Sequence, residues 1–564
     1  MCGIIASVGD LNHYEIVLKG LKRLEYRGYD SCGISYVDNG KIEIIKLTSF
    51  VDELVKNVNY ISKVNCIGHT RWATHGEISY QNTHPFISYH GIFSLVHNGT
   101  ITNFQLLKEE LIKKNYQFNG DTDSEVIVNY LESLYLMTHD IIQSLSLLDK
   151  KLEGSYSIVI NCSFSNNLFF LKYQTPLLVI KKDKGYILCS DLYAINENNI
   201  SYYEVKDHQY GEIGDDVKIF HHKMKIDVDY NSIINEEDSF KDVNCYLEKE
   251  IYECPKILND MIDFYLDQFI FPHDLIDDLR KANKIYVIAC GTSFNAGLIL
   301  KRIVKNKDIE VVLGSEFIYH DYSINQNDLC IFISQSGETL DVIRAIDKVD
   351  CITLSITNSK LSTIKRKTKY HLDIMVKKEI SVASTKAYFG EVIILYILAS
   401  YLTSLDLEEL KLLPEKLNDC LNQKAKIIDI ANEINQYNSL YFLGKGINYD
   451  LAKECSLKLK EITYIHSEAI YLGELKHGPL ALICESFPSI LVNCNHNYDD
   501  IILNSIQEIK SRKGKIYSFD VDKNYSLSFL LEVYFADLLA LYVGKLRKVN
   551  IDKPRNLAKS VTVE

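Results

Sequence analysis

Residues 284–304 read KIYVIACGTSFNAGLILKRIV, which is an apolar strand-like run, a glycine-containing turn and a helical run. The same order recurs at 329–349 (LCIFIS, QSGET, LDVIRAIDKV) and again at 439–462 (SLYFLGKGINYDLAKECSLKLKEI), and SILVN at 489–493 resembles a further strand. Strands that alternate with helices predict parallel sheets, here in a duplicated α/β unit. Ligands of such sheets bind at the carboxyl ends of the strands, where the Gly- and Ser-rich turns lie.

The first ~225 residues have a different pattern, with short alternating β-rich runs such as CIGHTRWAT and SYSIVIN. Two helices are predicted among them, at 103–114 and 122–134. The acidic stretch 231–242 has no periodicity and predicts a linker. The expected domain limits are 1–226, a linker at 227–245, 246–420, 421–550 and a C-terminal tail at 551–564.

Composition and charge exclude several classes of function. The chain has 564 residues and a formal net charge of −13, which argues against nucleic acid as a partner because phosphate binding needs a basic surface. The longest apolar run, 392–405, is too short to span a bilayer and predicts a buried helix. Fourteen cysteines without a C-x-x-C pair fit reduced thiols. With no basic n-region before the first apolar residues, we expect a cytoplasmic protein that acts neither on membranes nor on nucleic acid.

Cys2 is a candidate nucleophile. Removal of Met1 would leave its thiol beside its own α-amine, whose reference pKa of about 7.7–8.0 suits a base near neutral pH. A site for free glutamine needs a cation, an anion and an oxyanion hole, and Arg71, Asp123 and the Asn98-Gly99 pair offer them.

Each of these residues also has a plainer interpretation. Cys2 alone suits a buried strand start, Asp123 a helix N-cap, and Asn98-Gly99 a hairpin turn. A zinc site built from His69, His75 and His84 lacks supporting spacing and carboxylate partners, so no metal is predicted.

Two turns of the C-terminal half are candidate phosphate sites. Ser334-Gln335-Ser336-Gly337-Glu338-Thr339 and Cys290-Gly291-Thr292-Ser293 each follow a strand and open a helix. Backbone N–H groups and short hydroxyls at such a place bind phosphate, although an ordinary helix-capping turn has the same composition. Neither matches a nucleotide-binding motif.

Three charged residues fall on one face of a predicted helix, namely Glu454, Lys458 and Glu461. By spacing alone, a solvated salt-bridge stripe is the favoured interpretation. His477 lies in the Gly- and Pro-rich stretch GELKHGPL, which predicts no regular element. Lys559 lies in the tail, where residues are usually dispensable.

The N-terminal motifs MCGI, LEYRGYDS, HTRWATHG, VHNG and DTDSEV resemble the glutaminase domain of the glutamine:fructose-6-phosphate amidotransferase family. The resemblance implies an α+β N-terminal-nucleophile fold, a four-layered αββα sandwich. It assigns catalysis to Cys2 with the oxyanion hole of Asn98 and Gly99. The glutamine-binding residues that it implies are Arg71, Trp72, Thr74, His75 and Asp123.

The C-terminal motifs CGTSFNAG, SQSGET, VASTKA, LKLKEI, EAIYLGELKHGPLALI and DKPRNLAKSVTVE resemble the two α/β sugar-isomerase (SIS) domains of the same family. The implied sugar-phosphate ligands are Thr292, Ser293, Ser334, Gln335, Ser336 and Thr339, with Val382 and Ala558 lining the site. Glu461 is the implied proton-transfer base, with Lys458 and Glu454 beside it. His477 is the implied ring-opening residue, and Lys559 the implied Schiff-base lysine.

This resemblance predicts an enzyme that transfers the amide nitrogen of L-glutamine to D-fructose 6-phosphate, giving D-glucosamine 6-phosphate and glutamate, the first step of amino-sugar synthesis. No cofactor is expected, and His477 would enter a neighbouring subunit's site, so at least a homodimer is expected. The lack of a long insertion in the glutaminase domain indicates the bacterial type. Two alternatives remain, namely another N-terminal-Cys amidotransferase or a catalytically inert sugar-phosphate-sensing regulator. The chain lacks the DD-containing and SGGxDS loops that related amidotransferases use.

Overall fold

The computed structural model describes residues 2–59, 61, 65–73, 76–234, 245–359, 361–497 and 499–561. The chain divides into two compact units. One unit is Met1–Lys241 with Ser560–Glu564, and the other is Asp242–Lys559. Within the described ranges, no helix is both long enough and apolar enough to cross a bilayer.

The N-terminal unit consists mainly of antiparallel strands with a few helices. Its strands are β1 (Gly3–Gly9), β2 (Ser31–Asp38), β3 (Lys41–Leu47), β4 (Asn65–Arg71), β5 (Phe86–Ile87), β6 (Phe93–Ile101), β7 (Gly154–Cys162), β8 (Ser165–Tyr173), β9 (Leu178–Lys182), β10 (Gly185–Cys189), β11 (Asn199–Glu204), β12 (Gln209–Ile213), β13 (Val217–His221), β14 (Met224–Ile226) and β15 (Asn231–Ile234). Its helices are α1 (His13–Leu24), α2 (Val51–Asn57), α3 (Phe104–Ile112), α4 (Asp123–Thr138) and α5 (Ile141–Asp149).

These strands form two sheets, in the orders β15-β11-β9-β10-β1-β4-β2-β3 and β14-β13-β12-β8-β7-β6-β5. Alternate residues of β1 face opposite sides. Ile4 and Ala6 join an apolar layer with Val96 and Val159 of the second sheet, whereas Ile5 faces α1. A second apolar cluster covers the other face of the second sheet with α3, α4 and α5. The layers are therefore helix, sheet, sheet and helix, which confirms the predicted αββα sandwich.

The C-terminal unit alternates helices with parallel strands. Its strands are β16 (Lys284–Ala289), β17 (Asp308–Leu313), β18 (Leu329–Ser334), β19 (Ile352–Thr357), β20 (Tyr370–Asp373), β21 (Ser439–Gly444), β22 (His466–Tyr471), β23 (Ser489–Leu491) and β24 (Ile516–Ser518). Its helices are α6 (Tyr246–Asp263), α7 (His273–Lys281), α8 (Gly291–Ile303), α9 (Gly314–Phe317), α10 (Leu340–Ile346), α11 (Thr363–Lys367), α12 (Lys386–Ser400), α13 (Leu413–Asn422), α14 (Lys424–Ile434), α15 (Ile447–Thr463), α16 (Asp499–Lys510) and α17 (Ser528–Leu546).

Two parallel sheets in this unit share one strand order. The first is β17-β16-β18-β19-β20 and the second is β22-β21-β23-β24. In both, the first strand of the motif lies between the second and the third, so the repeat seen in the sequence is a repeat of topology. The predicted parallel α/β sheets are confirmed.

Local limits differ from the sequence-based expectation in several places, among them the apolar run and the linker. The apolar run 392–405 is only partly helical, because α12 begins at Lys386 and ends at Ser400. Within the predicted linker, Asn231–Ile234 forms a strand that pairs with β11. Strand pairing depends on a distant partner, which local periodicity does not reveal. The part of the linker from residue 235 to residue 244 lies outside the described residues.

Candidate functional site

Cys2 directly precedes β1, the strand that lies beside β4 in the first sheet. The backbone N–H of Trp72 donates to the Cys2 Sγ atom at 3.3 Å, and the Trp72 carbonyl lies 3.7 Å from the same sulfur. Burial raises the pKa of the Cys2 thiol, and the positive charge of Arg71 acts in the opposite direction. The thiol therefore needs a base to become nucleophilic at neutral pH.

Asn98 and Gly99 lie in β6 of the second sheet. The Nδ2 group of Asn98 donates to the Cys2 carbonyl at 2.9 Å, which brings the predicted amide donor beside the predicted nucleophile. Gly99 has φ +133°, and a Cβ atom there would lie 2.0 Å from the carbonyl oxygen of Ser155. Only glycine fits this position, because the backbone conformation and the neighbouring strand both exclude a side chain.

Arg71 and Asp123 are both buried. The guanidinium of Arg71 donates to the carbonyls of Gly76 at 3.3 Å and Glu77 at 3.5 Å. Asp123 is the first residue of α4 rather than its N-cap, and its Oδ2 atom accepts a hydrogen bond from the backbone of Ile101 at 2.9 Å. Thr74 and His75 lie outside the described residues.

Buried histidines lie together near Cys2, where the sequence had offered His69 and His84 only as rejected zinc ligands. His69 and His84 stack with ring centroids 4.0 Å apart, and His97 lies 3.0 Å from the hydroxyl of Ser124. Burial lowers the pKa of His69 to about 3 and lowers that of His97. HTRWATHG and VHNG contain two of these residues, but no spacing rule indicates that distant strands bring their rings together.

The 334–339 turn joins β18 to α10. The backbone N–H of Gly337 donates to the Ser334 hydroxyl at 3.0 Å, and the hydroxyls of Ser334 and Thr339 lie 2.8 Å apart. The Ser336 hydroxyl accepts from the backbone of Glu338 at 3.2 Å. The Gln335 carbonyl accepts from the backbone of Asn358 at 3.0 Å. Polar hydrogens and hydroxyls thus lie together at the carboxyl end of a central strand, which is where parallel sheets bind ligands.

Glu454, Lys458 and Glu461 form a connected cluster on α15. The Lys458 ammonium lies 2.9 Å from Glu461 Oε2 and 3.5 Å from Glu454 Oε1, and the side chains of Lys458 and Glu454 are each 1% exposed. Burial lowers the pKa of Lys458, but the charges of Glu461 and Glu454 outweigh it and raise the net value. The solvated-stripe interpretation is therefore wrong, because the helix packs in the interior.

The same cluster reaches the first turn of α8. The Thr292 hydroxyl donates to Glu454 Oε1 at 3.1 Å, and the Asn295 amide donates to Glu454 Oε2 at 2.7 Å. Ser293 donates instead to Glu391 Oε1 at 2.8 Å. Glu391 was not identified as a site residue from the sequence. It is 1% exposed, and burial raises its pKa to about 8.

Lys559 has a carboxylate partner of its own. Its ammonium lies 2.5 Å from Glu379 Oε2 and 3.0 Å from the hydroxyl of Ser384. Val382, two residues from Ser384, is buried and donates its backbone N–H to the Asp552 carbonyl at 2.9 Å. Ala558, next to Lys559, is half-buried. The structure thus places the tail lysine against the loop that contains Val382, and its partners Glu379 and Ser384 are contacts that the sequence did not indicate.

His477 is exposed and ends a short 3₁₀ turn, Leu472–His477, followed by a second one at Pro479–Leu482. These turns correct the expectation that the stretch has no regular element. No hydrogen bond or ion pair joins the imidazole to another residue in the part of the chain that the structure describes. Over the same described ranges, no cluster of His, Cys, Asp and Glu side chains suits a metal ion.

Comparison with known proteins agrees with both halves of the chain. SIS domains match residues 278–401 and 433–528, and class-II glutamine amidotransferases match residues 30–153. A glutamine–fructose-6-phosphate aminotransferase (isomerizing) from Caldanaerobacter subterraneus subsp. tengcongensis is 36% identical, with 100% of each chain covered. The chain belongs to this family.

Other members of the aminotransferase family are similar over the same extent. Those of Bacillus spizizenii and Sulfolobus acidocaldarius are 35% and 33% identical, each with 100% of both chains covered. The solved C-terminal domain of glucosamine-fructose-6-phosphate aminotransferase from Francisella tularensis is 29% identical, with a TM-score of 0.51 over 56% of this chain and 100% of that one. The predicted family is confirmed.

Proposed function

We propose that the protein transfers the amide nitrogen of L-glutamine to D-fructose 6-phosphate and isomerises the product to D-glucosamine 6-phosphate, releasing L-glutamate. One observation carries the proposal. A single chain, similar over its whole length to the aminotransferases described above, contains both the Cys2–Asn98 pair and the buried cluster of Glu454, Lys458 and Glu461. The first arrangement suits acyl transfer, which uses a nucleophile beside an amide donor, and the second suits ketose–aldose isomerisation, which uses a carboxylate base.

The first half-reaction takes place at Cys2. After removal of Met1, the α-amine of Cys2 accepts the thiol proton, and the sulfur attacks the amide carbon of glutamine. The Asn98 amide and the backbone N–H of Gly99 stabilise the oxyanion that forms. Arg71 binds the substrate's carboxylate and Asp123 its ammonium. Ammonia leaves with the proton returned by the amine, and water then releases glutamate from the thioester.

Glutamine recognition also involves the loop after β4. Trp72, Thr74 and His75 complete the glutamine site in this proposal. The hydrogen bond from the Trp72 backbone to Cys2 Sγ supports it, because that contact links the loop to the nucleophile. The ammonia passes to the sugar without entering bulk water, where protonation would remove its nucleophilicity.

The second half-reaction uses the C-terminal unit. The sugar phosphate binds to Ser334, Gln335, Ser336 and Thr339 in one turn and to Thr292 and Ser293 in the other, with Val382 and Ala558 lining the site. His477 opens the sugar ring, and Lys559 forms an imine at C2 that ammonia replaces. Glu461 then moves a proton from C1 to C2, which converts a 2-imino ketose into a 2-amino aldose. The pairing of Lys458 with Glu461 at 2.9 Å supports an ionised base.

We also propose that the protein is a cytoplasmic enzyme, that it acts as at least a homodimer, and that it needs no cofactor. The exposed position of His477 supports the dimer, because a side chain that reaches a neighbouring subunit must be free to leave its own surface.

The deciding experiment supplies glutamine and fructose 6-phosphate together and measures glutamate and glucosamine 6-phosphate in the same samples. We expect both products in a ratio near one. Formation of glutamate without amino sugar would mean that the protein is only a glutaminase. Absence of both products would refute the proposal.

A further inference from the structure

His69 lies in β4, the strand that forms a hydrogen-bonded pair with β1 directly behind Cys2. Its side chain is fully buried. The Nε2 atom of the ring lies 3.1 Å from the His97 carbonyl oxygen and 3.1 Å from Asn98 Oδ1. One ring nitrogen therefore contacts two groups of β6, the backbone carbonyl of His97 and the side-chain amide of Asn98 that faces Cys2.

The two contacts determine where the proton of the ring resides. A carbonyl oxygen only accepts, so the contact with His97 requires a hydrogen on Nε2 of His69. The same N–H then also donates to Asn98, whose side-chain oxygen must be the atom that faces the ring. The Asn98 amide nitrogen consequently faces the other way, where it donates to the Cys2 carbonyl at 2.9 Å.

This arrangement persists at neutral pH. Burial lowers the pKa of His69 to about 3, so the ring stays neutral and has one hydrogen. Stacking on His84, with ring centroids 4.0 Å apart, holds the plane of the ring. A neutral, buried imidazole of this kind is a poor general base, which separates its role from proton transfer.

We propose that His69 is a positioning residue for the oxyanion hole, because its Nε2–H fixes the side-chain amide of Asn98 with the nitrogen on the side of Cys2, where the oxyanion develops. The inference rests on the proposed function and adds a residue outside the glutamine site. Without the ring, the Asn98 amide loses the partner of its oxygen and can rotate by half a turn. Rotation would present oxygen instead of N–H to the developing negative charge.

The test compares His69→Leu with His69→Gln. Leucine removes the donor, whereas glutamine keeps an N–H near the position of Nε2. Because loss of one oxyanion donor costs roughly 10²–10³ in kcat, we expect His69→Leu to reduce kcat for glutamine hydrolysis by about 10²-fold with little change in KM. His69→Gln should recover most of that loss. Equal losses in the two variants would contradict the role of the N–H.

Alkylation of Cys2 by iodoacetamide separates positioning from a damaged nucleophile. This reaction is a displacement at a saturated carbon and forms no oxyanion, so His69→Leu should leave its rate at Cys2 unchanged, as followed by mass spectrometry of the N-terminal peptide. A parallel fall in alkylation and hydrolysis would overturn the inference, because it would indicate a general disturbance of the site.

His13→Leu is the matched control. His13 is also buried in the N-terminal unit, and its ring contacts the Ser7 hydroxyl at 2.7 Å and the Gly9 carbonyl at 3.1 Å. We expect this substitution to lower the thermal midpoint without the selective fall in kcat. If wild-type protein releases no glutamate, the proposed function fails first. If wild type is active and His69→Leu hydrolyses glutamine at the same rate, only the inference about His69 fails.

Discussion

The Cys2 region and the sugar region of this protein both orient reactive groups in a buried environment. They differ in the kind of interaction that fixes the orientation. Around the Cys2 sulfur and its oxyanion hole, the orienting groups are neutral, with the Asn98 amide bonded to His69 and a backbone N–H on the sulfur. The charged Arg71 and Asp123 are proposed to bind the charged ends of glutamine. In the C-terminal unit, the orienting groups are charged, with Lys458 between two carboxylates and Lys559 against Glu379.

The difference follows from the chemistry that each region is proposed to perform. A tetrahedral intermediate develops negative charge on oxygen, and neutral N–H donors stabilise that charge without a counter-ion in the resting site. Imine formation and proton transfer instead need groups that change protonation state, and buried charges of this kind persist only when paired. Loss of one group should therefore affect rate in the first region, and both rate and stability in the second.

The largest expected effect tests whether the regions are separable. Cys2→Ala should abolish glutamate release, because no other thiol lies beside a chain-terminal amine once Met1 is removed. Binding of fructose 6-phosphate, measured by calorimetry, should persist. Cys484→Ala, which removes an exposed thiol, is the control and should retain full activity. Loss of sugar binding in Cys2→Ala would contradict the independence of the two regions.

Lys559 should form an imine with the open-chain ketose. Borohydride added with fructose 6-phosphate should leave a reduced hexitol adduct on the C-terminal peptide, detectable by mass spectrometry, and Lys559→Met should abolish both the adduct and the amino sugar. An adduct on Lys458 would reverse the roles assigned to the two lysines. Absence of any adduct would remove the covalent step from the mechanism.

Lys458→Met tests the importance of charge pairing in the sugar region. The substitution leaves Glu454 and Glu461 without their buried cation, so we expect a loss of about 3–5 kcal/mol in the stability of the C-terminal unit. Urea unfolding followed by circular dichroism reports the whole chain, whereas fluorescence of the single tryptophan, Trp72, reports the N-terminal unit.

In Lys458→Met, we expect the urea midpoint of the dichroism transition to fall and the midpoint of the fluorescence transition to stay unchanged. Lys460→Met, an exposed change on the same helix, is the control and should have little effect on either signal. Equal shifts of both signals would mean that the two units do not unfold separately.

Trp72→Ala tests the coupling between the regions. The loop that contains Trp72 contacts Cys2 through its backbone, so loss of the side chain should spare the nucleophile. A large apolar side chain on this loop can restrict the escape of ammonia. We expect glutamate to form while glucosamine 6-phosphate per glutamate falls well below one. Equal losses of both products, with an unchanged ratio, would make Trp72 a packing residue.

The smallest expected effect is a pH dependence confined to the sugar region. Burial raises the pKa of Glu391 to about 8, so its carboxyl is protonated at neutral pH and ionises at higher pH. Because the folded pKa is raised, the stability it contributes is complete below about 4.5 and is lost as the pH rises through about 8. The new negative charge beside Ser293 should also weaken phosphate binding.

In the wild type, we therefore expect the affinity for fructose 6-phosphate to fall as the pH rises through about 8. Glu391→Gln should remove the part of this fall that Glu391 causes. The control is Glu532→Gln. Glu532 is another buried carboxyl whose pKa burial raises to about 8, and it accepts a backbone hydrogen bond from Asn493. This change should reduce the loss of stability at alkaline pH without altering the affinity profile. Identical affinity profiles in wild type and Glu391→Gln would exclude Glu391 from the sugar site.

Local pattern was sufficient to predict four strands of the C-terminal unit, β16, β18, β21 and β23, whereas β17, β19, β20, β22 and β24 were not predicted. The strand of residues 284–289 and the strand of residues 329–334 occur at the predicted limits, because a buried parallel strand is a continuous apolar run bounded by turn residues. The motifs also identified Cys2 and Lys559 as candidates. The family resemblance implied the αββα sandwich, and the repeated strand–turn–helix pattern predicted the duplicated parallel sheets.

The partners of these residues were decided by tertiary structure alone. The spacing of Glu454, Lys458 and Glu461 indicates a shared helix face, but whether that face meets water or the interior depends on what packs against it. Likewise, His69 and Asn98 are 29 residues apart in sequence. Their side chains meet only because β4 and β6 lie in facing sheets. A sequence determines which groups a chain contains and which local structures they favour, whereas burial and pairing arise when distant segments pack.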